Sequence, residues 1–529
     1  MKMQLIKEKI PVPVKVPLKL CWHLAKKLFF ISQIMYLYRE VHQKYINYKF
    51  LKMRHERVFR IESVQQSNHK LLFTSDWLAS QPYFYNQKTG KHSKNINNVI
   101  DLATIRIYRP GLYAYFTAGY CVDGATMLRD VRFVRPHSSL YQRQDGSLYE
   151  RENPDPVLER DWRLKPSQIF ELLESKIQSW ENSHSDPIYI PTSGGYDSRL
   201  LNFFVRDKRR IRSATYGISN NQADSFEVQI AKQLSQRLNT CWRYFPLGNY
   251  NRYLHDWYDL YGVSTHAHGM YHMEFHEQAV AEWGRPLRML SGLIGDIWAG
   301  LSLPKIHPAN LSSLFYTHGL SLRPQLLNLN EPDLLENYYN RKKEYLAHDR
   351  LRIVEAMRHK LLLLSYLTRV PESMGIPAYA PFIEPDLALA MLFLPANLRI
   401  QRTWQKKFFK HNQLDFSGAQ LNYENVLNLE ASTRIPYPEI KEYFKEFVRP
   451  ELVDTFNEYC TNPRYHRDAI DKKPPPTALM GTLDKLGIVF GGDIASAYRQ
   501  AMIFLHALGM LCYPIQTLLE ERDATNIHG

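Results

Sequence analysis

The chain has 529 residues, of which 44% are hydrophobic and 23% are charged, and its formal net charge is +14. Single hydrophobic cores stop growing at roughly 250 to 300 residues, so the length predicts two domains, and the composition excludes a disordered or fibrous protein. The charge favours an anionic partner, but no nucleic-acid-binding signature accompanies it, and we expect no nucleic acid as a partner.

The cysteines are odd in number, far apart and never in a CxxC pair: Cys21, Cys121, Cys241, Cys460 and Cys512. This pattern argues for a reducing compartment and against a disulfide framework or a cysteine zinc site. Prolines and charges interrupt the first residues before any apolar run, which is unlike a signal peptide. We therefore expect a cytoplasmic protein.

Residues 17–38 are apolar and aromatic but include Lys19, His23, Lys26 and Lys27. The segment is too short and too charged for a transmembrane span of about 20 apolar residues. A basic amphipathic helix on an anionic membrane surface is one interpretation, which would add peripheral membrane contact. Packing on its own domain is the interpretation that we favour.

Residues 58–149 contain short runs of β-type alternation separated by turn residues. The runs are VFRIESV, KLLFTSDW, PYFYNQKTG, YAYFTAGY and VRFVRPHSSLY. We expect residues 1–160 to form a mostly β domain.

A helical period begins near Pro166, and a short apolar strand at 187–191 then runs into a glycine turn and another helix. Two further strands are predicted at 211–216 and 287–290, and the chain beyond about residue 332 is rich in helical periodicity. Strand, glycine turn and helix is typical of an α/β fold. Residues 161–529 are therefore predicted to form an α/β domain with added helices.

The strongest chemical signal is the string SGGYDS at 193–198, between a predicted strand and a predicted helix. The free N–H groups and the dipole of a helix N-terminus favour an anion. Gly194 and Gly195 let the backbone approach phosphates, Ser193 and Ser198 add hydroxyl donors, and Asp197 suits Mg²⁺, which prefers oxygen ligands. An ordinary turn that caps a helix is the alternative.

This string resembles the SGGxDS pyrophosphate loop of the asparagine-synthetase family, whose members adenylate a carboxylate and pass it to an amine. Residues 290–300, LSGLIGDIWAG, are similar to the second loop of that family. The match implies that Ser291 and Gly292 contact ATP and that Asp296 shares Mg²⁺ with Asp197. The cofactors implied are thus ATP and Mg²⁺.

The strand at 213–217 is similar to the adenine-contacting strand of the family, which implies that Thr215 and Gly217 lie near the base. The segment from Arg369 to PFIE at 381–384 resembles the R…PFLD segment of the family. The resemblance spans about residues 166 to 411. It implies a parallel-sheet PP-loop domain of the adenine nucleotide hydrolase type.

The family carries a lysine after this segment that neutralises phosphate charge during the reaction. Lys406 and Lys407 both fit that description, and their spacing does not separate them. Two positions depart from the family, because Leu293 and Pro377 stand where members carry acceptor-side glutamates. Adenylation is therefore expected to be retained, while the amine-handling residues differ.

Residues 72–85 and 127–136 resemble strands of the family's glutaminase domain, which needs a cysteine nucleophile at its processed N-terminus. Position 2 is Lys2, and Cys21 falls in a helical stretch. We expect a degenerate glutaminase-like domain. The nitrogen would then come as ammonia from solution, as ammonia from a partner glutaminase, or as an amine on a larger substrate.

Histidines cluster before the third predicted strand, at positions 266, 268, 272 and 276. His272 and His276 share a helix face, a spacing that suits zinc. We favour an acceptor pocket formed by His272 and His276 together with Arg369, in which one histidine is the missing base.

The resemblance implies an ATP-dependent C–N ligase that adenylates a small-molecule or glycan carboxylate and forms an amide. A sugar acid of a surface polysaccharide is the first choice of substrate. A lactam- or macrocycle-forming enzyme and a catalytically silent nucleotide-binding scaffold are the alternatives.

Overall fold

The computed structural model describes residues 69–159, 161–219, 221–300, 321–416, 438–461, 477–488 and 494–528. All of them belong to one compact unit, Gln65–Gly529. The expectations for Lys2, Cys21, residues 17–38 and the strand at 58–64 lie outside the described residues. Within those described ranges, no helix combines the length and the apolar character needed to cross a membrane.

Two small antiparallel sheets, ordered β1-β5-β6 and β3-β2-β4, occupy residues 69–159. Their strands are β1 (Lys70–Thr74), β2 (Phe84–Asn86), β3 (His92–Ser93), β4 (Val131–Phe133), β5 (Ser138–Gln142) and β6 (Leu148–Glu152). The β-type runs at 70–77, 82–90 and 131–141 each contain one or two of these strands, so the β character predicted there is confirmed.

The predicted strand YAYFTAGY is wrong, because residues 113–118 of this run lie in a helix, α1 (Arg109–Ala118), whose C-cap is Gly119. Pro110 lies in the first turn, where its missing N–H costs nothing. Gly119 closes the helix with φ of 81° and donates its N–H to the Tyr115 carbonyl. Side chains all round the helix are buried, so the apolar residues carry no helical period to distinguish it from a strand.

Five parallel strands form the main sheet. They are β7 (Ile188–Pro191), β8 (Ile211–Thr215), β9 (Cys241–Tyr244), β10 (Arg288–Leu290) and β11 (Ala378–Tyr379), in the order β11-β10-β7-β8-β9. The chain leaves β7 towards β8 and β9, then returns to the other side for β10 and β11. The switch point of the topology therefore lies between β7 and β10, and the predicted α/β class with a parallel sheet is confirmed.

Helices surround this sheet and extend the chain beyond it. They are α2 (Pro156–Glu159), α3 (Pro166–Asn182), α4 (Tyr196–Phe204), α5 (Phe226–Leu238), α6 (Leu254–Tyr261), α7 (Tyr271–Trp283), α8 (Gly295–Ala299), α9 (Asp333–Ala347), α10 (Asp349–Leu364), α11 (Tyr366–Ser373), α12 (Pro385–Leu392), α13 (Ala396–Arg399), α14 (Thr403–His411), α15 (Pro450–Thr461), α16 (Thr477–Lys485) and α17 (Ile494–His528). Helix α4 packs on β7 and on α3 and α5, and α7 packs on α11.

A buried ion cluster joins residues 69–159 to the helices. Arg358 of α10 donates to the carboxylates of Asp155 and Glu355 at 2.8 Å and, through Nε, to the Trp77 carbonyl at 2.9 Å. Tyr338 of α9 also donates to Glu355, at 2.7 Å. The paired charges fix the first half of the chain against α9 and α10.

Candidate functional site

A cleft of about 540 Å³ opens at the carboxyl ends of the parallel strands. Its walls are the segments that follow β7, β8 and β10, together with the first turns of α7 and residues from α11 and the start of α14. In open α/β sheets, ligands bind outside the carboxyl ends of the strands at the topological switch point. The position of this cleft therefore marks it as the first candidate site.

The glycine turn after β7 forms one wall, and its two glycines have different surroundings. Gly194 has φ of 70°, and an added Cβ would lie 2.6 Å from Cβ of Ile230 on α5. At Gly195, an added Cβ would approach only Ser193 Oγ, at 3.2 Å. Arg199 of α4 holds the turn from behind by donating to the Gly194 carbonyl at 2.7 Å. The turn is thus fixed on its inner side and leaves room on the cleft side at Gly195.

Two carboxylates meet at the floor of the cleft. Asp197 lies in the first turn of α4 and Asp296 in the first turn of α8. The second loop approaches Asp197 closely, since a Cβ on Gly295 would lie 2.8 Å from Asp197 Cγ, and one on Gly292 would lie 3.2 Å from its Cβ. A side chain at Gly295 would displace the carboxylate, and one at Gly292 would crowd Asp197 Cβ, so glycine suits both positions.

The carboxylate pair is electrostatically unsatisfied. Burial, followed by the charge of Asp296, raises the pKa of Asp197 well above its usual value, and burial also raises the pKa of Asp296. Asp197 Oδ1 is buried and has no hydrogen-bond partner among the described residues. Two adjacent carboxylates in such a place need a bound cation or a shared proton.

This donor set fits Mg²⁺, a hard cation that prefers carboxylate and phosphate oxygens and commonly binds through one or two protein carboxylates. Among the described residues, no group of three or more His, Cys, Asp or Glu side chains could hold a metal by itself. Asp197 and Asp296 would therefore supply only part of a coordination shell, with ligand oxygens completing it. The zinc interpretation of His272 and His276 gains no third ligand within the same described ranges.

Arg402 supplies positive charge to this floor. Its guanidinium lies 4.3 Å from the centroid of the Tyr196 ring, and its charge opposes the rise in the pKa of both Asp197 and Asp296. Gln401 and Arg402 have φ of 50° and 56°, the left-handed region, immediately before α14. Such a backbone costs roughly 1–2 kcal/mol per residue and is typical of functional sites.

The structure does not place Lys406 or Lys407 in the cleft. Both are exposed on α14, whose buried face consists of Trp404, Gln405 and Phe409. Because a helix turns by about 100° per residue, the positions beside these buried residues face the solvent. Among the lysines and arginines of the described ranges, Arg402, which precedes the helix, lines the cleft.

The first turns of α7 bring His272 and His276 into the cleft, as the acceptor-pocket hypothesis expects. Tyr189 Oη lies 3.1 Å from His276 Nδ1, and Tyr216 Oη lies 3.3 Å from His272 Nε2. Burial lowers the pKa of His276 to about 3 and that of His272 well below its usual value. Both imidazoles are therefore neutral near pH 7 and are weak bases in the ligand-free protein, and the expectation that one of them is the missing base stays a prediction.

Arg369 lies outside the cleft lining, which corrects its placement in the acceptor pocket. Its guanidinium stacks 4.7 Å from the centroid of Tyr261, and its Nη2 donates to the carbonyls of Lys94 and Leu260. These acceptors are distant in sequence, so the residues around position 369 do not indicate them. The side chain ties α11 to the first half of the chain.

Of the remaining residues implied by the resemblance, some line the cleft and others pack behind its walls. Ser193, Ser198, Thr215, Ser291 and Gly292 line the cleft, and Gly194 supports the turn behind it. Thr215 Oγ1 also donates to the Thr192 carbonyl at 2.6 Å. Gly217 is absent from the cleft lining and packs closely on the Gln222 carbonyl, which an added Cβ would approach to 2.0 Å.

The departures from the family pattern also differ in position. Leu293 lines the cleft, whereas Pro377 lies in the frame, where its carbonyl accepts a hydrogen bond from the Met289 N–H. Glu227, in the first turn of α5, is a lining residue that sequence reasoning missed, because its nearness to the glycine turn is a contact between segments about 30 residues apart. Burial raises the pKa of Glu227, and its Oε2 has no partner among the described residues.

No family model matches this chain, and no curated protein is significantly similar to it in sequence.

Proposed function

We propose that this protein is an ATP-dependent ligase that activates a carboxylate as an acyl-adenylate and passes the acyl group to an amine. In the first step, a carboxylate oxygen attacks the α-phosphorus of ATP and the bond to pyrophosphate breaks. In the second, the amine attacks the acyl carbon, AMP leaves and the amine loses a proton. The resemblance of SGGYDS and LSGLIGDIWAG to the asparagine-synthetase family suggests this reaction.

One observation carries the proposal. Asp197 and Asp296 come from loops about 100 residues apart in sequence, yet they share the floor of one cleft at the switch point, directly beside a glycine turn at a helix N-terminus. A structural role would favour paired charges, whereas these carboxylates repel each other. A cation would satisfy the carboxylates, and a nucleotide phosphate group would accept from the N–H groups of the first turn of α4, which has no side-chain cap.

The residues have distinct roles in this proposal. The turn at 193–195 and the first N–H groups of α4 bind phosphate oxygens, and Arg402 offsets the negative charge that develops as pyrophosphate leaves. Asp197 and Asp296 would hold Mg²⁺, which supplies charge neutralisation on the phosphates when bound. The neutral His272 and His276 bind the acid or the amine.

The exchange of labelled pyrophosphate into ATP, which requires adenylation to be reversible, tests the proposal. We expect exchange only with Mg²⁺ and an accepted carboxylic acid, and its loss in Asp296→Asn. Tight Mg·ATP binding by equilibrium dialysis without exchange for any acid would favour the silent scaffold. Exchange that survives Asp296→Asn would remove the carboxylate pair from the mechanism.

The nitrogen donor and the location belong to the same proposal. An amine substrate, ammonia from solution, or ammonia from a partner glutaminase would each complete the second step. A cytoplasmic enzyme suits the use of ATP, and contact with an anionic membrane surface suits a lipid-linked glycan acid. Lactam or macrocycle formation would use the same activation with an internal amine.

A further inference from the structure

Arg199 of α4 is a buried cation behind the cleft to which the proposed reaction assigns no role. The residue is only 4% exposed. Its guanidinium donates to the carbonyls of Gly194 at 2.7 Å and Leu414 at 2.8 Å, while its Nε has no hydrogen-bond partner among the described residues. The charge of Asp415 acts favourably on it, but the two side chains form no ion pair in the described part of the chain. Arg199 is therefore a buried charge without a paired carboxylate.

Aromatic rings enclose this guanidinium. Its carbon Cζ lies 4.9 Å from the ring centroid of Phe409, 5.0 Å from that of Phe416 and 5.2 Å from that of Tyr196. Tyr196 also contacts Arg402, at 4.3 Å, and the charge of Arg402 acts unfavourably on the buried guanidinium. The rings offset part of the cost of burying the cation, but they do not neutralise it.

A hydrogen bond to the Gly194 carbonyl connects Arg199 with the cleft. The peptide between Gly194 and Gly195 is trans, so its N–H points away from its carbonyl and hence away from the guanidinium. This N–H belongs to Gly195, which lines the cleft, whereas Gly194 packs on α5. Its acceptor is Ser193 Oγ at 3.4 Å, beyond the usual range of about 2.7–3.2 Å. A weakly occupied donor therefore lies on the cleft side of a peptide whose other side binds a cation.

We propose that Arg199 is a positioning residue for the pyrophosphate group of the nucleotide, and that it acts through the peptide between Gly194 and Gly195 without contacting the ligand. A guanidinium on the carbonyl side makes the N–H a stronger donor, because linked hydrogen bonds polarise one another. Its uncompensated charge also attracts a phosphate on the other side of the turn. The inference rests on the proposed function, which brings a pyrophosphate group to this turn.

The two arginines complement the two carboxylates of the cleft floor. Asp296 acts unfavourably on Asp197, and Arg402 acts unfavourably on Arg199, so each pair consists of like charges. A cation relieves the first pair and an anion relieves the second. Magnesium pyrophosphate combines both charges, whereas AMP lacks the pyrophosphate group and leaves the turn unoccupied.

A purely structural connection is the alternative role for Arg199. Its side chain also joins α4 to α14, because Phe409 lies in α14 and Leu414 follows that helix. Loss of such a connection would lower stability and weaken every ligand of the cleft alike. Loss of a charge that acts through the turn would instead weaken ligands that carry a pyrophosphate group.

Titration calorimetry with magnesium pyrophosphate, Mg·ATP and AMP separates the two roles. Arg199→Gln keeps a donor for the Gly194 carbonyl but removes the charge. It should raise the Kd for magnesium pyrophosphate about tenfold, the scale of one unit charge that acts across a peptide at an effective dielectric constant of about 20. The Kd for Mg·ATP should rise with it, and the Kd for AMP should stay unchanged. Arg199→Lys keeps the charge and should recover most of the loss.

Arg210→Gln is the matched control. Arg210 also donates to backbone carbonyls, those of Glu181, His184 and Asp186. It precedes β8 and so lies at the amino end of the sheet, away from the cleft. Its substitution should lower the melting temperature and leave the Kd for magnesium pyrophosphate unchanged.

The wild-type protein allows a measurement that does not depend on the stability of a variant. In protein with ¹⁵N-labelled arginine, the Arg199 Nε signal is assigned through its nuclear Overhauser contacts with the rings of Tyr196, Phe409 and Phe416. Magnesium pyrophosphate should shift this signal, because the phosphate acts on the guanidinium through the turn. AMP should leave it in place.

The outcomes distinguish this inference from the proposed function. If Arg199→Gln weakens pyrophosphate and AMP equally, or weakens neither, the positioning role is overturned and the ligase proposal stands. A wild-type protein that binds neither magnesium pyrophosphate nor Mg·ATP overturns both. If Arg199→Gln does not fold, the wild-type spectrum decides, and an Nε signal that pyrophosphate leaves unshifted overturns the positioning role.

Discussion

Two clusters of buried charge in this molecule obey opposite rules. At the junction of the first half with the helices, Arg358 lies between Asp155 and Glu355, and each charge has a partner of the other sign. At the cleft floor, the charge of Asp296 acts unfavourably on Asp197, and Asp197 Oδ1 has no hydrogen-bond partner among the described residues. The first arrangement is complete without a ligand, whereas the second is not.

The pKa directions follow this difference. Although burial alone would raise it, the charges of Lys342 and Arg358 hold the pKa of Glu355 down at about 2. Burial and the neighbouring carboxylate instead raise the pKa of Asp197. Perturbed ionisation occurs in structural networks as well as in active sites, so the sign and the pairing are more informative than the size of the shift. A raised, unpaired carboxylate in a cleft indicates a ligand site.

The largest effect is expected at the junction. Arg358→Ala leaves buried Asp155 without its arginine partner and Glu355 with Lys342 alone, which should lower the free energy of unfolding by about 3–5 kcal/mol. Urea unfolding followed by tryptophan fluorescence measures this change. Arg163→Ala is the matched control, because its ion pair with Asp161 is exposed and should contribute less than about 1 kcal/mol. A loss below that value for Arg358→Ala would mean that the junction is not a structural cluster.

The next effect concerns catalysis and separates Arg402 from the lysines of α14. If the proposed adenylation is correct, Arg402→Ala should lower the rate of pyrophosphate exchange by about 10²–10³, the usual cost of removing one charge-stabilising group. Lys406→Ala and Lys407→Ala are natural controls on the same segment, since both are exposed, and should change the rate less than about twofold. Loss of exchange in a lysine variant, with Arg402→Ala active, would return the role to that lysine.

Local pattern predicted much of the parallel sheet. The strands at 187–191, 211–216 and 287–290 and the helix after the glycine turn correspond to β7, β8, β10 and α4. Each combines a short apolar run with a turn signal, so neighbouring residues carry the information. The two edge strands, β9 and β11, were missed because both are partly exposed, and β11 has only two residues. Strand order was not predicted, since it depends on contacts between distant segments.

The candidate site shows the same limit. Residues inside the two loops, such as Asp197 and Asp296, were found because their motifs are contiguous in sequence. Arg402 was missed because its position depends on two left-handed residues that no local rule predicts for Gln-Arg. Arg369 was misplaced because its carbonyl acceptors lie more than 100 residues away in the chain. Sequence analysis thus does not predict the position of a side chain that depends on a strained backbone or on partners distant in the chain.

The two glycines of the turn should differ in what they contribute, Gly194 to stability and Gly195 to ligand binding. Gly194→Ala should lower the free energy of unfolding by about 2 kcal/mol, because a Cβ is strained at its positive φ and would collide with Ile230. Gly195→Ala should leave stability nearly unchanged and weaken Mg·ATP binding, since its Cβ would occupy the cleft. Thermal unfolding and equilibrium dialysis report the two effects separately. Equal behaviour of the two variants would mean that the turn does not have an inner and an outer side.

The smallest expected effect is a gain in the free energy of unfolding, whereas most substitutions lower it. Removing one of two repelling carboxylates relieves unfavourable burial, so Asp197→Asn should raise the free energy of unfolding of the ligand-free protein at pH 7 by about 1 kcal/mol, the scale of ordinary stabilising substitutions. It should also abolish any rise in melting temperature caused by Mg·ATP. Asp259→Asn, an exposed carboxylate of α6, should do neither.

The stability difference between the wild-type protein and Asp197→Asn should depend on pH. Because the pKa of Asp197 is raised above the ordinary value of 3.8, the unfolded chain releases this proton at lower pH than the folded protein does. The wild-type protein therefore loses stability relative to Asp197→Asn as the pH rises past 3.8, and it keeps that deficit at neutral pH unless a cation binds. Melting curves from pH 3 to 8 without divalent ions should diverge in this direction, and Mg·ATP should close the gap by stabilising only the wild type. Curves that diverge in the opposite direction would mean that Asp197 is paired in the folded protein, and the cleft floor would then belong with the junction as a structural cluster.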